Sequence, residues 1–518
     1  MTTAQRVIKN LYRDSVSLMQ FSEKLRALDG IKQASAVMAT ENNISLLVEA
    51  GLLAAAPPPS PNDLLIIVEG KDELSTGAAL DSAEAMLKTK SAEAGEGSVG
   101  VRRVPPRSIE MGLQSMPPAN FVLISTPGEY AAAEARKALQ LGLHVMMFSD
   151  NVSMEEEIPL KQYARQHDLL VMGPDCGTAI INGVPLGFAN VVRRGDIGVV
   201  AASGTGLQQV TSLIDRFGGG VSQAIGTGGH DLKSEVGGIT MLQGIGALTD
   251  DPSTKVILLV SKPPSPDVMK NVLETAARSG KPVVVEFIGA NPADITGGNI
   301  FGVKTLEDAA TASVLLSKGK PVKKFSNALP ARYKALVEPT RKKIKKGQKY
   351  VRGLFSGGTF CYESVLLLSE ALGKVYSNTP IRKDEKIPSV WRSLEHTVID
   401  LGDDLFTQGR PHPMIDFRLR NDRIIQEAKD PETAVILLDI VLGYGSNMDP
   451  AGELVPAIRE AQKIASKSRR NVVLVGSVCG TAADPQDLSR QESMLSAAGV
   501  ILTESNAQAA RLAAAIVC

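Results

Sequence analysis

The hydrophobic pattern alternates between short apolar runs and amphipathic stretches along most of the chain. Ile197–Ala201 is an apolar run rich in β-branched residues, which predicts a buried strand. Apolar residues then recur at helical spacing, at Leu207, Val210, Leu213 and Ile214. This spacing predicts a helix that directly follows the strand.

The turn between this strand and this helix consists of small residues: Ser203, Gly204, Thr205 and Gly206. The first N–H groups of a helix have no intrahelical acceptor, and the helix dipole makes that end positive. A buried strand that enters such a turn and then a helix is therefore a geometry that binds anions, above all phosphate. The turn contains neither a Walker A lysine motif nor a G-x-G-x-x-G fingerprint.

The same arrangement recurs about 150 residues further along the chain. Val351–Phe355 is a predicted strand, and the pattern over Glu363–Leu372 predicts the helix. The turn between them is Ser356, Gly357, Gly358 and Thr359. We therefore expect two α/β domains of one topology in tandem. Two such helix N-termini aimed at one point would hold phosphate or another oxyanion, at up to about 2 kcal/mol for each partly buried dipole.

The predicted fold class is α/β, with tandem doubly wound parallel-sheet domains (Rossmann-like and flavodoxin-like) and a small N-terminal α/β unit. Strand and helix patterns alternate from about 117 to 195, which predicts a parallel sheet with ligands at the carboxyl ends of its strands. The predicted boundaries are 1–112 for the N-terminal unit, 113–195 for a Rossmann-type domain, 196–320 for the first copy, 321–349 for a charged linker and 350–518 for the second copy.

The N-terminal unit carries no clear chemistry, and we expect a structural or assembly role for it. Its predicted strands are Gln5–Arg13, Gln33–Ala39 and Asp63–Glu69, and its predicted helices lie near Ser17–Leu28, Asn42–Ala50 and Gly77–Lys88. Pro57–Pro59 predicts a rigid loop, and Lys90–Gly100 predicts a flexible linker.

The net charge and the spacing of the cysteines argue against several kinds of ligand and structural site. Lys plus Arg and Asp plus Glu number 56 each, so the net charge is near zero, and nothing in it favours nucleic acid or an anionic membrane. The four cysteines form no CxxC pair, which argues against a disulfide framework or a zinc site. With no 18-residue apolar run, we expect a cytoplasmic protein.

Five segments occur in an order that resembles the α-subunit of succinyl-CoA synthetase: Gly173–Cys176, Ile197–Val200, Ser203–Thr205, Gly226–Gly229 and Asp251–Pro252. Residues 350–518 resemble the C-terminal, non-nucleotide domain of the β-subunit of that enzyme. The whole chain is similar to the FdrA family of acyl-CoA-synthetase-like proteins. The match runs through phrases such as VMMFSDNVSMEEEI and DLGDDLFTQGRPHPMID over nearly the full length.

This resemblance implies a CoA-binding-like domain at 113–195 and a phosphate cradle between two facing helices. The two turns match the cradle, which implies phosphate binding by the turn residues Ser203, Gly204, Thr205 and Gly206 and by Ser356, Gly357, Gly358 and Thr359. Segments that match parts of the CoA site contain Ser149, Asp150, Asn151, Pro174 and Cys176. A small buried residue is an alternative interpretation of Cys176.

Three departures from the synthetase change the expected reaction. Ile288–Asp294 holds no histidine where that family carries its phosphohistidine, no ATP-grasp domain is found, and no glycine-rich CoA turn precedes Asn120. We therefore expect partner subunits to supply what is missing. The alternatives are a carbamoyltransferase subunit that uses carbamoyl phosphate and an oxamate-like acceptor, and a non-catalytic scaffold.

Two loops contain candidate catalytic residues. His230 follows the glycine-rich Gly226–Gly229, and His412 lies next to Arg410. Both histidines are expected near the two helix N-termini, where they would act as general acid–base groups or donate hydrogen bonds to phosphate. Arg410 is expected to form a bidentate clamp on the anion. Surface or satisfied histidines are the alternative.

An acidic cluster precedes His412 in the sequence: Asp400, Asp403 and Asp404. Mg²⁺ binds through one or two carboxylates plus phosphate oxygens, so Asp403 and Asp404 are candidate ligands. A solvated, helix-capping loop is the alternative.

Overall fold

Hydrophobic strands pair into four sheets in the part of the chain that the structure describes. The computed structural model describes residues 2–11, 13, 15–40, 43–44, 47–48, 53, 60, 62–93, 106–115, 118–322, 325–407 and 410–518. The chain divides into a small unit (Met1–Ala119, Ser125–Pro127 and Asp404–Asp416) and a large unit (Asn120–Ile124, Gly128–Asp403 and Phe417–Cys518).

The small unit contains a three-stranded antiparallel sheet in the order β1-β3-β2. Its strands are β1 (Thr2–Ile8), β2 (Ile31–Met38) and β3 (Leu64–Gly70), and its helices are α1 (Ser15–Arg26), α2 (Glu73–Glu93), α3 (Ile109–Ser115) and, further along the chain, α13 (Asp404–Thr407). The central strand β3 is almost entirely buried, and apolar residues of α1 and α2 pack on it.

Some of the predictions for this unit lie outside the described residues. Pro57–Pro59 and residues 94–100 of the predicted linker are among these, as is most of the predicted helix Asn42–Ala50. The first four residues of the predicted linker, from Lys90, end helix α2 instead.

The large unit begins with a three-stranded parallel sheet in the order β4-β5-β6. The strands β4 (Phe121–Ile124), β5 (His144–Met147) and β6 (Val171–Met172) alternate with α4 (Gly128–Gln140) and α5 (Met154–Gln166). Helix α5 begins in a capping box, in which Ser153 and Glu156 satisfy each other's backbone N–H groups. The predicted alternation of strands and helices is confirmed here.

The second sheet has seven strands, in the order β13-β12-β11-β9-β10-β7-β8. Its strands are β7 (Thr178–Ile181), β8 (Val184–Gly187), β9 (Arg194–Ala202), β10 (Val221–Gly226), β11 (Val256–Ser261), β12 (Val283–Phe287) and β13 (Ile300–Gly302). Its helices are α6 (Gly204–Arg216), α7 (Ile239–Asp250), α8 (Pro266–Arg278), α9 (Pro292–Ile295) and α10 (Leu306–Ser317). The β7–β8 hairpin is antiparallel, whereas β9 to β13 are parallel.

The third sheet of this unit has six parallel strands, in the order β15-β16-β14-β17-β18-β19. Its strands are β14 (Tyr350–Phe355), β15 (Tyr376–Ser377), β16 (Thr397–Asp400), β17 (Thr433–Val441), β18 (Val473–Cys479) and β19 (Val500–Thr503). Its helices are α12 (Gly358–Leu372), α14 (Arg418–Lys429), α15 (Pro450–Lys467), α16 (Leu488–Ala497) and α17 (Asn506–Val517), with a short 3₁₀ helix at Lys383–Glu385.

The two larger sheets repeat one topology. Their parallel strands run in the order β10-β9-β11-β12-β13 in the first and β16-β14-β17-β18-β19 in the second. In each order, the strand that precedes a small-residue turn (β9 or β14) is the second and lies between the first and the third. The prediction of tandem doubly wound parallel-sheet domains is therefore confirmed, and in such sheets ligands bind at the carboxyl ends of the strands.

Residues 321–349 differ from the predicted solvated linker because they contain helix α11 (Ala331–Arg341). Its apolar residues Tyr333 and Val337 are one turn apart and both buried. Arg341 donates to the carbonyl oxygen of Ala515 at 2.6 Å, at the end of α17. Helix α11 is therefore packed on the second copy. Among the described residues, no helix is long and apolar enough to cross a bilayer.

Candidate functional site

Both small-residue turns open a helix, as the sequence predicted. Helix α6 begins at Gly204 with Ser203 as its N-cap, and the Ser203 hydroxyl accepts a hydrogen bond from Gly206 N at 3.0 Å. Helix α12 begins at Gly358, with Gly357 as its N-cap. Each turn directly follows the first parallel strand of its sheet, so each helix presents its positive end at a carboxyl edge.

The structure brings the two helix N-termini into direct contact. The hydroxyl oxygens Ser203 Oγ and Thr359 Oγ1 are 2.5 Å apart and form a hydrogen bond. A Cβ atom on Gly357 would lie 2.9 Å from Thr205 Cγ2, so the absence of a side chain there permits the close approach. Ser203 and Thr359 are 156 residues apart in the sequence, and their hydrogen bond joins the two turns into one surface. We call it the paired turns.

Replacing Gly357 with alanine is expected to separate the paired turns and to lower the free energy of unfolding by about 1–3 kcal/mol. The added Cβ would lie 2.7 Å from Phe360 Cδ2 and 2.9 Å from Thr205 Cγ2, closer than side chains tolerate. Urea denaturation measures the change. Gly246→Ala is the control, because a Cβ at that helical position meets nothing within 4 Å and alanine favours the helix. Equal stability of the two variants would contradict the prediction.

Several N–H groups of the paired turns remain available to a ligand. Gly204 and Thr205 in α6, and Gly358 and Thr359 in α12, occupy first-turn positions whose N–H groups have no intrahelical acceptor. Among the described residues, no other acceptor contacts these four N–H groups. They belong to two helix N-termini that are in contact, and helix N-termini of this kind are the feature from which the sequence predicted anion binding.

The start of the second turn is held by an internal carboxylate instead. Asp439, in β17, accepts from Ser356 N at 2.9 Å, from Ser356 Oγ at 2.9 Å and from Gly357 N at 2.9 Å. The buried guanidinium of Arg420 pairs with the same carboxylate. The N–H groups of Ser356 and Gly357 therefore have an internal acceptor, whereas those of Gly358 and Thr359 have none among the described residues.

A carboxyl group and an ammonium group lie at the start of α12. Asp400 ends β16, and Lys262 follows β11. Burial raises the pKa of the Asp400 carboxyl to about 7, and the positive charge of Lys262 opposes that rise. Lys262 is exposed, so a solvent-accessible cation lies beside the paired turns. Lys262 was not predicted from the sequence, and Asp400 was predicted only as part of an acidic cluster with Asp403 and Asp404.

The structure does not bring His412 and Arg410 together with the paired turns in one unit. Both residues belong to the small unit, whereas the paired turns belong to the large unit. Burial lowers the pKa of His412 to about 4, and its Nδ1 accepts from Met414 N at 3.2 Å, so the imidazole is neutral near pH 7. Arg410 is exposed. Their catalytic roles stay predictions.

Asp403 lies in the large unit and Asp404 in the small unit. Across the described residues, no group of three or more His, Cys, Asp or Glu side chains is arranged to hold a metal ion. A role for Asp403 and Asp404 in Mg²⁺ binding stays a prediction.

His230 lies beside a buried ion cluster on α5. Its Nδ1 is 3.3 Å from Glu157 Oε2, and Glu157 Oε1 is 2.8 Å from Lys161 Nζ. Lys161 Nζ also lies 2.7 Å from Asp231 Oδ1, and all three charged side chains of the cluster are fully buried. We call Glu157, Lys161 and Asp231 the lysine cluster. It fixes the loop that carries His230.

The predicted CoA segments pack against this loop. A Cβ on Gly228 would lie 2.2 Å from the carbonyl oxygen of Pro174, so glycine permits the contact. Asp175 N donates to the carbonyl oxygen of Ser149 at 2.9 Å, which joins the two predicted CoA segments. Asp150 and Asn151 are exposed at the same strand ends.

Cys176 has the environment of a buried structural residue. It is 2% exposed, and its Sγ contacts the carbonyl oxygen of Thr178 at 3.6 Å. Burial raises the pKa of its thiol to about 12. The thiolate is the nucleophilic form of cysteine, so this thiol is unreactive near neutral pH.

Buried carboxyl groups lie on β12, α12 and α10: Glu286, Glu363 and Asp308. Glu286, in β12, is 0% exposed, and neither of its carboxyl oxygens has a hydrogen-bond partner among the described residues. Burial raises its pKa well above the ordinary value, and the charges of Glu363 and Asp308 raise it further. Burial also raises the pKa of Glu363 to about 7. Both effects favour the neutral form of the Glu286 carboxyl.

Glu286→Gln is expected to stabilise the protein at pH 7–8 and to reduce the loss of stability with rising pH. A pKa raised on folding means that the native state binds the proton more tightly, so stability is lost as pH rises from the ordinary glutamate pKa through the raised value. Glutamine removes this contribution. Thermal midpoints at several pH values measure the effect, with exposed Glu235→Gln as the control. A wild-type midpoint with the same pH dependence as the variant would contradict it.

Comparisons with known families match most of the chain. The CoA-ligase family model matches residues 354–516, and the CoA binding domain model matches residues 192–289. The latter match lies further along the chain than the predicted CoA-binding-like segment 113–195. The model of the AllF heavy metal-associated domain matches residues 1–102. This segment contains neither cysteine nor histidine, the usual ligands of soft and borderline metals.

Individual proteins are similar to this chain over different lengths. The chain is 45% identical over 516 residues to the uncharacterized protein YahF of Escherichia coli, covering 99% of this chain and 98% of YahF. It is 28% identical over 150 residues to the alpha subunit of ADP-forming succinate–CoA ligase from Aquifex aeolicus, covering 28% of this chain and 48% of that subunit. Dinucleotide-forming acetyl-coenzyme A synthetase 1 of Ca. Korarchaeum cryptofilum aligns with 82% of this chain and 86% of its own, at 15% identity and a TM-score of 0.34. The chain belongs to the family of YahF, the FdrA-type acyl-CoA synthetase-like proteins.

Proposed function

We propose that the paired turns bind the phosphate of an acyl phosphate in an acid–thiol ligase-type reaction that uses CoA. The observation that carries this proposal is the hydrogen bond between Ser203 and Thr359, because it joins two positive helix ends at one place. The N–H groups of Gly204, Thr205, Gly358 and Thr359 supply the donors. Lys262 supplies a full positive charge at this place. Because the net charge of the whole chain is near zero, attraction of an anion depends on such a local charge.

CoA is proposed to bind at the strand ends that carry Ser149, Asp150, Asn151 and Pro174. Thr178 follows this segment, and a Cβ on Gly204 would lie 3.5 Å from Thr178 Oγ1. The proposed CoA segment therefore runs directly to the paired turns. A thiol that reaches this place would meet an acyl group held by its phosphate. Buried Cys176 supports the wall of the segment and takes no covalent role.

The loop after β12 limits the reaction that we propose. Ile288–Asp294 contains no histidine, so no phosphorylated side chain is assigned there. This observation favours a second candidate, transfer of a carbamoyl group from carbamoyl phosphate, which is itself an acyl phosphate and needs no phosphohistidine. Both candidates use the same anion site, and both are expected to require partner subunits. They differ in whether CoA binds.

Isothermal titration calorimetry of the full chain with inorganic phosphate, CoA and carbamoyl phosphate tests the proposal. Phosphate is expected to bind, and a Ser203→Ala, Thr359→Val double variant is expected to bind it about tenfold or more weakly. Ser505→Ala is the matched control, because it also removes an N-cap serine, at the start of α17. CoA binding supports the ligase-type reaction. Carbamoyl-phosphate binding without CoA binding supports the transferase, and binding of none of the three would overturn the proposal.

A further inference from the structure

The carboxyl group of Asp400 lies close against the first residue of α12 because that residue is glycine. A Cβ on Gly358 would lie 2.6 Å from Asp400 Oδ2 and 3.8 Å from Lys262 Nζ. A carboxyl oxygen and an ammonium group therefore border the same point. That point lies at the positive end of a helix, beside two N–H groups without an acceptor among the described residues.

Asp400 is held rigidly, yet one of its oxygens lacks a donor. The residue is 6% exposed, and its backbone N–H and C=O both bond to the Asn378 side chain, at 2.9 Å and 3.0 Å. Asp400 Oδ1 accepts from Gly402 N at 2.9 Å. No described residue donates a hydrogen bond to Oδ2, which faces the start of α12. Ionising a largely buried carboxyl group that accepts from one donor is costly, so this geometry favours a proton or a ligand at Oδ2.

We infer that Asp400 and Lys262 are ligand-binding residues of the paired turns, and that Asp400 shares one proton with the bound anion. This inference rests on the proposed function. A protonated carboxyl donates to an anion oxygen, whereas an ionised carboxyl accepts from a P–OH group. The site therefore binds a phosphate with a P–OH group at any pH, because either form of Asp400 can share a proton with it. It holds a fully ionised oxyanion only while Asp400 itself is protonated.

The charges that face Asp400 place its titration in the physiological range. Burial raises its pKa to about 7, the charges of Asp403 and Asp439 raise it further, and Lys262 and the Gly402 N–H lower it. The Cys361 thiol on α12 also faces this carboxyl, and its own pKa is raised by burial, so it adds no charge. Both forms of Asp400 are therefore available near neutral pH.

Calorimetric titrations of the full chain with sulfate and with inorganic phosphate distinguish the protonated form of Asp400 from the ionised form. Sulfate has no proton between about pH 6 and about pH 8.5, whereas phosphate keeps one. Wild-type protein is expected to bind sulfate about tenfold or more weakly at the higher pH, and to change its phosphate affinity by less than about threefold. In Asp400→Asn the amide donates at every pH, so sulfate affinity becomes independent of pH.

Lys262→Met is expected to weaken both anions about tenfold or more at each pH, because it removes a charged donor. Exposed Asp422→Asn and Lys270→Met are the matched controls and are expected to bind both anions as the wild type does. Circular dichroism verifies that each variant is folded. A sulfate profile that is flat in the wild type, or that is unchanged in Asp400→Asn, overturns this inference while phosphate binding upholds the proposed function. Failure of the wild type to bind either anion overturns both.

Discussion

Asp439→Ala is expected to lower the free energy of unfolding by about 3–5 kcal/mol and to abolish anion binding at the paired turns. The substitution removes the acceptor of three hydrogen bonds from Ser356 and Gly357. It also leaves the guanidinium of Arg420, which is 0% exposed, without its counter-charge. An unpaired buried charge is the costlier of the two losses.

Urea denaturation followed by circular dichroism measures the stability change, and calorimetry with phosphate measures the site. Asp422→Asn removes an exposed carboxylate from α14 and serves as the control. Combining Asp439→Asn with Arg420→Met is expected to recover much of the lost stability, because no charge is then left unpaired. The prediction is wrong if Asp439→Ala unfolds at the same urea concentration as the control, or if the double variant is less stable than Asp439→Ala.

The sequence patterns predicted the fold well because most strands are apolar runs with clear ends. Strand β12 has the predicted bounds, Val283–Phe287, and β14 begins one residue before its predicted start. The repeated strand–turn–helix pattern also predicted a repeated topology. Sheet order follows from this repetition, since a parallel doubly wound sheet places its ligand edge at the carboxyl ends of its strands.

The β7–β8 hairpin was missed although the sequence carries its signal. Asn182 and Gly183 lie between two short apolar runs, and both adopt positive φ angles, 51° and 80°. An Asn-Gly pair is the preferred turn for a two-residue hairpin. The helix Ala331–Arg341 was missed for another reason. Its apolar face is narrow among many lysines and arginines, so composition indicated a solvated segment where packing on α17 decides the structure.

The chemistry of the site was harder to predict because long-range pairs decide it. The repeat predicted two similar turns and the family resemblance implied that they face each other, but neither predicted the partners of Asp439 and Lys262. A single charged residue in an apolar run is nevertheless a signal, since such a residue must find a partner when the run is buried. Asp439 in β17 and Glu286 in β12 both carry it. Sequence spacing gave no way to place His412 in a different unit from the paired turns.

Lys161→Met is expected to lower the free energy of unfolding by about 3–5 kcal/mol, because it leaves two buried carboxylates without their cation. Lys161 Nζ is 2.8 Å from Glu157 Oε1, 2.7 Å from Asp231 Oδ1 and 3.0 Å from the carbonyl oxygen of Thr227. Asp231 also accepts from Thr240 N and Met241 N at the start of α7. The lysine cluster therefore joins α5, the His230 loop and α7.

Urea denaturation measures the loss, and exposed Lys233→Met is the control. The triple variant Glu157→Gln, Lys161→Met, Asp231→Asn carries no buried charge in the cluster, so it is expected to recover part of the stability that Lys161→Met loses. A triple variant that is no more stable than Lys161→Met would show that packing of the lysine stem, and not its charge, holds the His230 loop in place.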